Sequence, residues 1–458
     1  MRNWCHCLFF IIILTFAGGC ATYYDKHEKI NSYLSSGNYQ SANDMLENEK
    51  KEIKGNNRVL YYFNKGVTTF MLGDYQTSNT FFQQADLYVE DYVNTVGYQA
   101  LALVSNPAVK PYKPEDFESV MIHYYMALNY LFMNNYEDAI VECKRLNLQL
   151  QRINDKYKDN KNRYSQDAFA LNLMGMIYEA SGDYNNAFIA YRNAIETYDS
   201  IYQPLIGLSA PLELKKAVIR SAQMTGFQSD AQLFANKFNF SIPSDSTDNG
   251  TMVLFWMNGS GPIKAEWSIN FFNAGYNDGW ITFANDEYGY SFPIYVGNKS
   301  SNEQAAFKDL SFLRIAFPKY ESRLPAYSGA SVMVNDSVYP LEMVQNIDKL
   351  AFQCLHDRML RETTTAIARA ATKKALEAMA RDQNENIGTI LGIINAVTEK
   401  ADTRNWQSLP YSISYSRISL PAGHHRLAIV AQGDTQKTDS LEVDIEKGKT
   451  KFVIFHQH

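Results

Sequence analysis

One short pattern recurs four times in the first half of the chain and limits what that half can become. Ser36-Gly37-Asn38-Tyr39, Leu72-Gly73-Asp74-Tyr75, Asn134-Asn135-Tyr136 and Ser181-Gly182-Asp183-Tyr184 each stand between two amphipathic stretches. Glycine and asparagine take the positive φ that stops a helix. Three residues after each tyrosine comes a small residue: Ala42, Ser78, Ala139 and Ala187. Four residues further on comes a larger one: Leu46, Phe82, Cys143 and Tyr191. On a helix those two positions share a face. Each segment therefore predicts a helix, a tight turn and a second helix, with the small residue letting the second approach the first.

This unit resembles the tetratricopeptide repeat, a helix–turn–helix that stacks into arrays. Gly66 and Gly175 fall at its close-contact position, Ala85 and Ala194 at its late small position, and Pro204 just past its end. The turn tyrosines are unevenly spaced, so the stretches around Asn106 to Pro114 and Asp155 to Ser165 read as connectors or lengthened helices. A closing hairpin follows, with Met224-Thr225-Gly226-Phe227 as its turn and Ala231 and Ala235 on its second helix. The expectation for Asp25 to about Phe238 is a TPR-like α-solenoid of four degenerate repeats and a closing pair. Such hairpins are stable only as a row. First helices line the concave face of such an array, which makes Tyr62, Asn129 and Asn172 candidate partner-binding residues. Cys143 occupies an apolar repeat position and reads as a buried thiol.

The period then changes. Residues 242–250 are polar with breakers at both ends and read as a linker. Asp245, Thr247, Asn249 and Gly250 match the start of a calcium loop, but the twelfth position is Trp256 where a bidentate Glu is needed. From 251 onward the chain alternates as strands: Met252 to Met257, Ile263 to Phe272, Ser311 to Pro318, Ser331 to Val334 with Val338-Tyr339, Tyr411 to Leu420, Arg426 to Ala431, Ser440 to Ile445 and Lys451 to Phe455. A helical insertion at about 344–400 interrupts them. Its Ala-, Thr- and Lys-rich part and the Gly388/Gly392 pair fit three roles: packing on the protein's own sheet, association with a partner, or lying on a membrane surface. The expected fold class is multi-domain, α then α+β: a TPR-like array over 20–241, then a β-sandwich-like domain over 251–458 carrying that insertion.

Before all this stands a leader. Arg2 precedes an apolar stretch from Leu8 to Leu14, too short to span a bilayer as a permanent helix. Ala17-Gly18-Gly19-Cys20 closes it and resembles the bacterial lipobox. That resemblance implies a signal peptide over 1–19, lipidation of Cys20 and, with no acid following at Ala21-Thr22, an outer-membrane address. Two or more acyl chains hold a protein stably on a membrane. The formal charge of −6 argues against nucleic acid as a partner. Cys143 and Cys354 would tie different domains if bridged, so no disulfide is expected.

A repeat-bearing lipoprotein half, the strand Val253-Leu254-Phe255-Trp256-Met257-Asn258-Gly259, the stretch Ala401-Asp402-Thr403-Arg404-Asn405-Trp406-Gln407-Ser408-Leu409-Pro410 and Leu420-Pro421-Ala422-Gly423-His424-His425 together resemble an uncharacterised family of tetratricopeptide lipoproteins of Gram-negative bacteria. The resemblance implies no reaction and an envelope setting.

The residues themselves agree on the absence of chemistry. Nucleophile elbow, phosphate loop, dinucleotide fingerprint and zinc-ligand spacing are missing. Cys354 and His356 are two apart, which points them away from each other on a helix. No catalytic residue, metal or cofactor is expected. Arg404 with Asp402 reads as an ion pair fixing a helix-to-strand junction, or, with Trp406, as a partner contact, since Trp and Arg are enriched among binding hot spots. The resulting expectation is a non-enzymatic, lipid-anchored scaffold for other envelope proteins. The alternative is a peptidoglycan- or carbohydrate-binding lipoprotein stacking sugars on Trp256, Trp267, Phe271, Phe272, Tyr276 and Trp280.

Overall fold

A computed structural model describes residues 23–94, 110–155, 163–241, 249–287, 289–383 and 401–457. The leader, Cys20, most of the linker and the Gly388/Gly392 pair lie outside the described residues.

The described residues of the first half fold into five helical hairpins. They are α1 Tyr23–Ser35 with α2 Tyr39–Asn48, α3 Arg58–Met71 with α4 Tyr75–Asn94, α5 Asp116–Phe132 with α6 Tyr136–Asp155, α7 Ala168–Ala180 with α8 Tyr184–Thr197, and α9 Leu212–Thr225 with α10 Gln228–Phe238. The turns are built as the sequence dictates. Gly37, Gly73, Asn134, Gly182 and Gly226 all have φ between 58° and 88°. In the four recurring turns, the next residue caps the second helix. Asn38, Asp74, Asn135 and Asp183 each accept from the backbone N–H three residues on, at 3.1 to 3.3 Å. A Cβ on Gly66 would lie 2.6 Å from the Phe82 ring, and one on Gly175 2.4 Å from that of Tyr191. Those glycines thus set how closely α3 meets α4 and α7 meets α8.

Among its described residues the second half holds two sheets. The larger has the order β10-β9-β6-β7-β8-β1-β11, the smaller β4-β3-β2-β5. In chain order the strands are β1 Asn249–Asn258, β2 Ile263–Asn277, β3 Trp280–Asn285, β4 Tyr290–Tyr295, β5 Phe312–Glu321, β6 Tyr327–Val334, β7 Ser337–Asn346, β8 Ser412–Pro421, β9 Gly423–Gly433, β10 Gln436–Ile445 and β11 Thr450–Gln457. Only β1 with β11 is parallel among these pairs. Strands before and after the helical insertion pair directly, as β1 with β8 and β6 with β9. β3, β4 and the helix α11 Ser301–Lys308 come in addition to the elements expected from the pattern. β2 also runs five residues past Phe272.

Each sheet curls over its own core. Met252, Leu254, Trp256, Val332, Ile418 and Ile429 fill the larger one. Ile269, Phe271, Phe283, Leu313 and Ile315 fill the smaller, closed by α11 and the long helix α12 Ile347–Gln383 through Ile367, Ala370, Ala371 and Ala375. Of the three roles considered for this helix, these residues take the first, packing on the protein's own sheet.

β1 is buried on both faces. Its alternate residues Val253, Phe255 and Met257 leave the sheet core and join the helical array. One continuous apolar cluster runs from Tyr23 and Phe63 through Tyr125 and Phe169 to Tyr415 and Phe452. The two halves therefore share a core.

Candidate partner interface

The first helices α3, α5 and α7 turn one face toward the strand-bearing half. Phe169 meets Phe255 at 6.1 Å, Phe70 meets His456 at 5.6 Å, and the Tyr198 hydroxyl donates to the Val344 carbonyl at 2.8 Å. The segment between α12 and β8 reaches deepest. Trp406 stacks on Phe63 at 4.0 Å and lies 5.8 Å from both Phe82 and Tyr125. Its indole N–H donates to Ser408 at 2.9 Å, and the Ser408 hydroxyl donates to Asn64 at 2.8 Å. Its backbone N–H donates to Glu118 of α5 at 2.7 Å.

Charges lock the same junction. Glu115 caps α5 and accepts from Lys264 of β2 and, at 2.6 Å, from Arg358 of α12. Burial pushes the Glu115 carboxyl up, but Arg358 and Lys264 outweigh it and hold it below the usual range. At the next repeat, Arg220 at 2.7 Å and Arg417 of β8 at 3.2 Å meet Glu179. There too burial opposes ionisation, yet the two guanidiniums and the Tyr191 hydroxyl bring the Glu179 carboxyl down to about 2. Removing one partner of a buried pair costs about 3–5 kcal/mol, because the other charge stays buried. These contacts fasten the halves.

Of the five residues picked as partner contacts, Asn172, Arg404 and Trp406 lie in this junction, while Tyr62 and Asn129 pack inside the helical array. Tyr62 stacks on Tyr88 of α4 at 5.9 Å. Asn129 donates to Ser78 and Asn79, each at 2.9 Å. Asn172 is fully buried beside Tyr415. Arg404 is paired with Asp402 at 2.8 and 2.6 Å and also donates to the backbone carbonyl of Lys110 at 3.0 Å and to the Asn57 side chain at 3.2 Å. Trp406 is 1% exposed. Asn172 thus faces the chain's own second half, Arg404 and Trp406 of that half reach into the helical array, and the contacts of Tyr62 and Asn129 stay within the array. The physical reason is that a groove lined by Phe63, Tyr125 and Phe169 is apolar, and 401–410 with β1 and β8 removes it from water.

The six aromatics of the alternative reading divide by face. Trp256 and Phe271 are buried, and Trp267 packs inward on Phe317. Phe272, Tyr276 and Trp280 are exposed. The strands bring others beside them. Trp280 opposes Tyr295 with ring centroids 5.0 Å apart, and Phe272 opposes Phe312. Tyr295 and Phe312 were not foreseen. Their signal is alternation, since Phe312 precedes the inward series Leu313, Ile315 and Phe317. Phe272, Trp280, Tyr295 and Phe312 share the outer face of the small sheet with Asn270, Thr282 and Ser291. Tyr276 sits at the rim under the Lys308 ammonium, 3.9 Å from its ring centroid.

Both interior thiols are free and buried, and burial pushes each well above the ordinary cysteine range. His356 is exposed while Cys354 is buried, and Asp357 is engaged by Arg163 at 3.2 Å. Among the described residues no group of three His, Cys, Asp or Glu side chains is placed to hold a metal, and no helix is long and apolar enough to cross a membrane.

No protein-family model matches the chain, and no curated protein matches it. Among solved structures it is similar to MamA, at 14% identity over 47% of this chain and 92% of that one, with a TM-score of 0.29. It is also similar to nearly identical TPR-like repeats from Podosopora anserina, at 16% identity over 46% and 91%, TM-score 0.30. BtubC from P. vanneervenii matches at 13% identity over 47% and 81%, TM-score 0.31.

Proposed function

We propose that this is a non-enzymatic, lipid-anchored protein of the bacterial envelope that serves as an interaction scaffold for other envelope proteins. Acylation at Cys20 attaches it, and it belongs with the tetratricopeptide lipoproteins its sequence resembles. The observation that carries the scaffold reading is the placement of aromatic side chains. The groove is occupied from within, while Phe272, Trp280, Tyr295 and Phe312 stand exposed together on one sheet face. Large exposed apolar groups gathered on one face mark interaction sites, and Trp and Tyr are frequent hot-spot residues. The partner surface is therefore this face, not the concave side of the array.

A photo-crosslinking residue at Trp280 or Phe272 in living cells tests it, with Cys20→Ala alongside. One reproducible envelope partner, lost without the anchor, supports the reading. A crosslink pattern no different from that of a probe at Leu233, exposed on α10, refutes it.

A carbohydrate-binding reading keeps a specific observation in its favour. Between the rings the outer face carries Thr282 and Ser291, neutral groups suited to sugar hydroxyls, with Asn270 and Arg314 paired beyond Phe272 and Phe312. Co-sedimentation with purified cell wall, abolished by Trp280→Ala, would move the assignment to it.

A further inference from the structure

We infer that the surface around the start of α1 rests on the bilayer and that its lysines contact anionic phospholipid headgroups. The inference builds on the proposed acylation of Cys20. Only Ala21 and Thr22 separate that cysteine from Tyr23, the first residue of α1. Three links of extended chain reach about 10 Å at most. An anchored protein so tethered has little choice of which side meets the membrane.

That side carries a basic turn in a chain whose net charge is −6. His27 of α1 lies 3.6 Å from Glu49, the residue that leads into the short helix Lys50–Lys54. Lys50, Lys51 and Lys54 are exposed on that helix, and Lys50 is paired with Glu47. The next segment of the surface is pinned beside it. The Tyr112 N–H donates to the Asn56 carbonyl at 2.7 Å, which sets exposed Lys113 next to the same turn. Glu47, Glu49 and Glu52 beside these lysines are half-buried, and Asp25 and Glu28 are exposed on the first turns of α1. On the other flank, Asn31 of α1 donates to Gln407 at 2.7 Å, and Arg323 donates to the Gln407 carbonyl. Leu324 follows on the loop between β5 and β6 and is 80% exposed. Aliphatic exposure of that degree suits insertion between headgroups. The Trp280 and Tyr295 end of the small sheet lies elsewhere. β2 leaves the junction at Lys264 and runs to Asn277, so its tip stands about 40 Å from Lys264 at 3.3 Å per residue. Membrane contact and partner contact would occupy separate ends of the molecule.

The test uses the full-length protein purified from membranes and reconstituted in phosphatidylcholine vesicles, with or without phosphatidylglycerol. A dye is placed on Leu324→Cys or, for reference, on Leu233→Cys of α10, and a nitroxide-labelled lipid is the quencher. Cys143 and Cys354 are buried, so the introduced thiol is the one labelled in acylated protein. The expected result is quenching several-fold greater at 324 than at 233, deepened by phosphatidylglycerol. K51Q/K54Q/K113Q should abolish the phosphatidylglycerol dependence, since each lysine near an anionic surface changes partitioning about fivefold. Protein that co-floats with vesicles but shows equal quenching at both sites overturns the orientation while leaving the anchor. Retention of the lipid dependence in the triple variant overturns the headgroup contact. Protein that does not co-float overturns the acylation reading and this inference with it.

Discussion

Replacing Trp406 by alanine tests whether the helical and strand-bearing halves are one folding unit. The indole is 1% exposed, stacked on Phe63 and bonded to Ser408. Truncating a buried Trp or Phe to Ala costs about 3–5 kcal/mol. A value near 4 kcal/mol is expected for W406A, because the walls from three helices cannot all collapse into the void. Phe63→Ala should cost about as much alone. The two side chains touch, so the double variant should fall short of the sum by about 0.5–1.5 kcal/mol, the coupling of an aromatic pair. Urea unfolding followed by far-UV circular dichroism reports the helices. Fluorescence of Trp256, buried in the larger sheet, contributes a report from the strands. Both midpoints should move together in W406A. A helical transition that stays in place while the fluorescence transition moves, or strict additivity of the two truncations, would refute the shared core.

Three further outcomes follow from the same geometry. Gly175→Ala should cost about 1–3 kcal/mol by overpacking, because the Tyr191 ring in its way is held by the Glu179 bond, and urea denaturation measures it. Glu179 has a folded pKa near 2, below its unfolded value, so its stabilisation is present above about pH 4.5 and disappears as pH falls toward 2. The loss is on the order of 3 kcal/mol, and Glu179→Gln should flatten that part of the stability–pH curve. Phe272→Ala, by contrast, removes an exposed ring and should change stability by about 0.5 kcal/mol or less while abolishing the crosslink or co-sedimentation assigned to that face.

The parts of this fold that could be read from sequence are those decided within a few residues. The hairpin turns are local: a positive-φ glycine or asparagine, a capping Asn or Asp, then an aromatic. The pairing of Gly66 with Phe82 and of Gly175 with Tyr191 follows from that turn, because it fixes which rungs of two helices face each other. β3 and β4 were harder, being six residues each with aromatics on both faces. What covers the groove depends on contacts far apart in sequence, such as Phe63 with Trp406, and no local pattern encodes them. A warning was nevertheless present. An array with an open groove keeps a polar stripe on its first helices, whereas a helix apolar nearly all round is buried all round. α5, Asp116-Phe117-Glu118-Ser119-Val120-Met121-Ile122-His123-Tyr124-Tyr125-Met126-Ala127-Leu128-Asn129-Tyr130-Leu131-Phe132, has almost no such stripe, and its acids Glu118 and Asp116 sit in the first turn. Neighbouring hairpins can bury only the sides of such a helix. Its remaining face required a cover, and Glu118 accepting the Trp406 N–H marks where the second half supplies it.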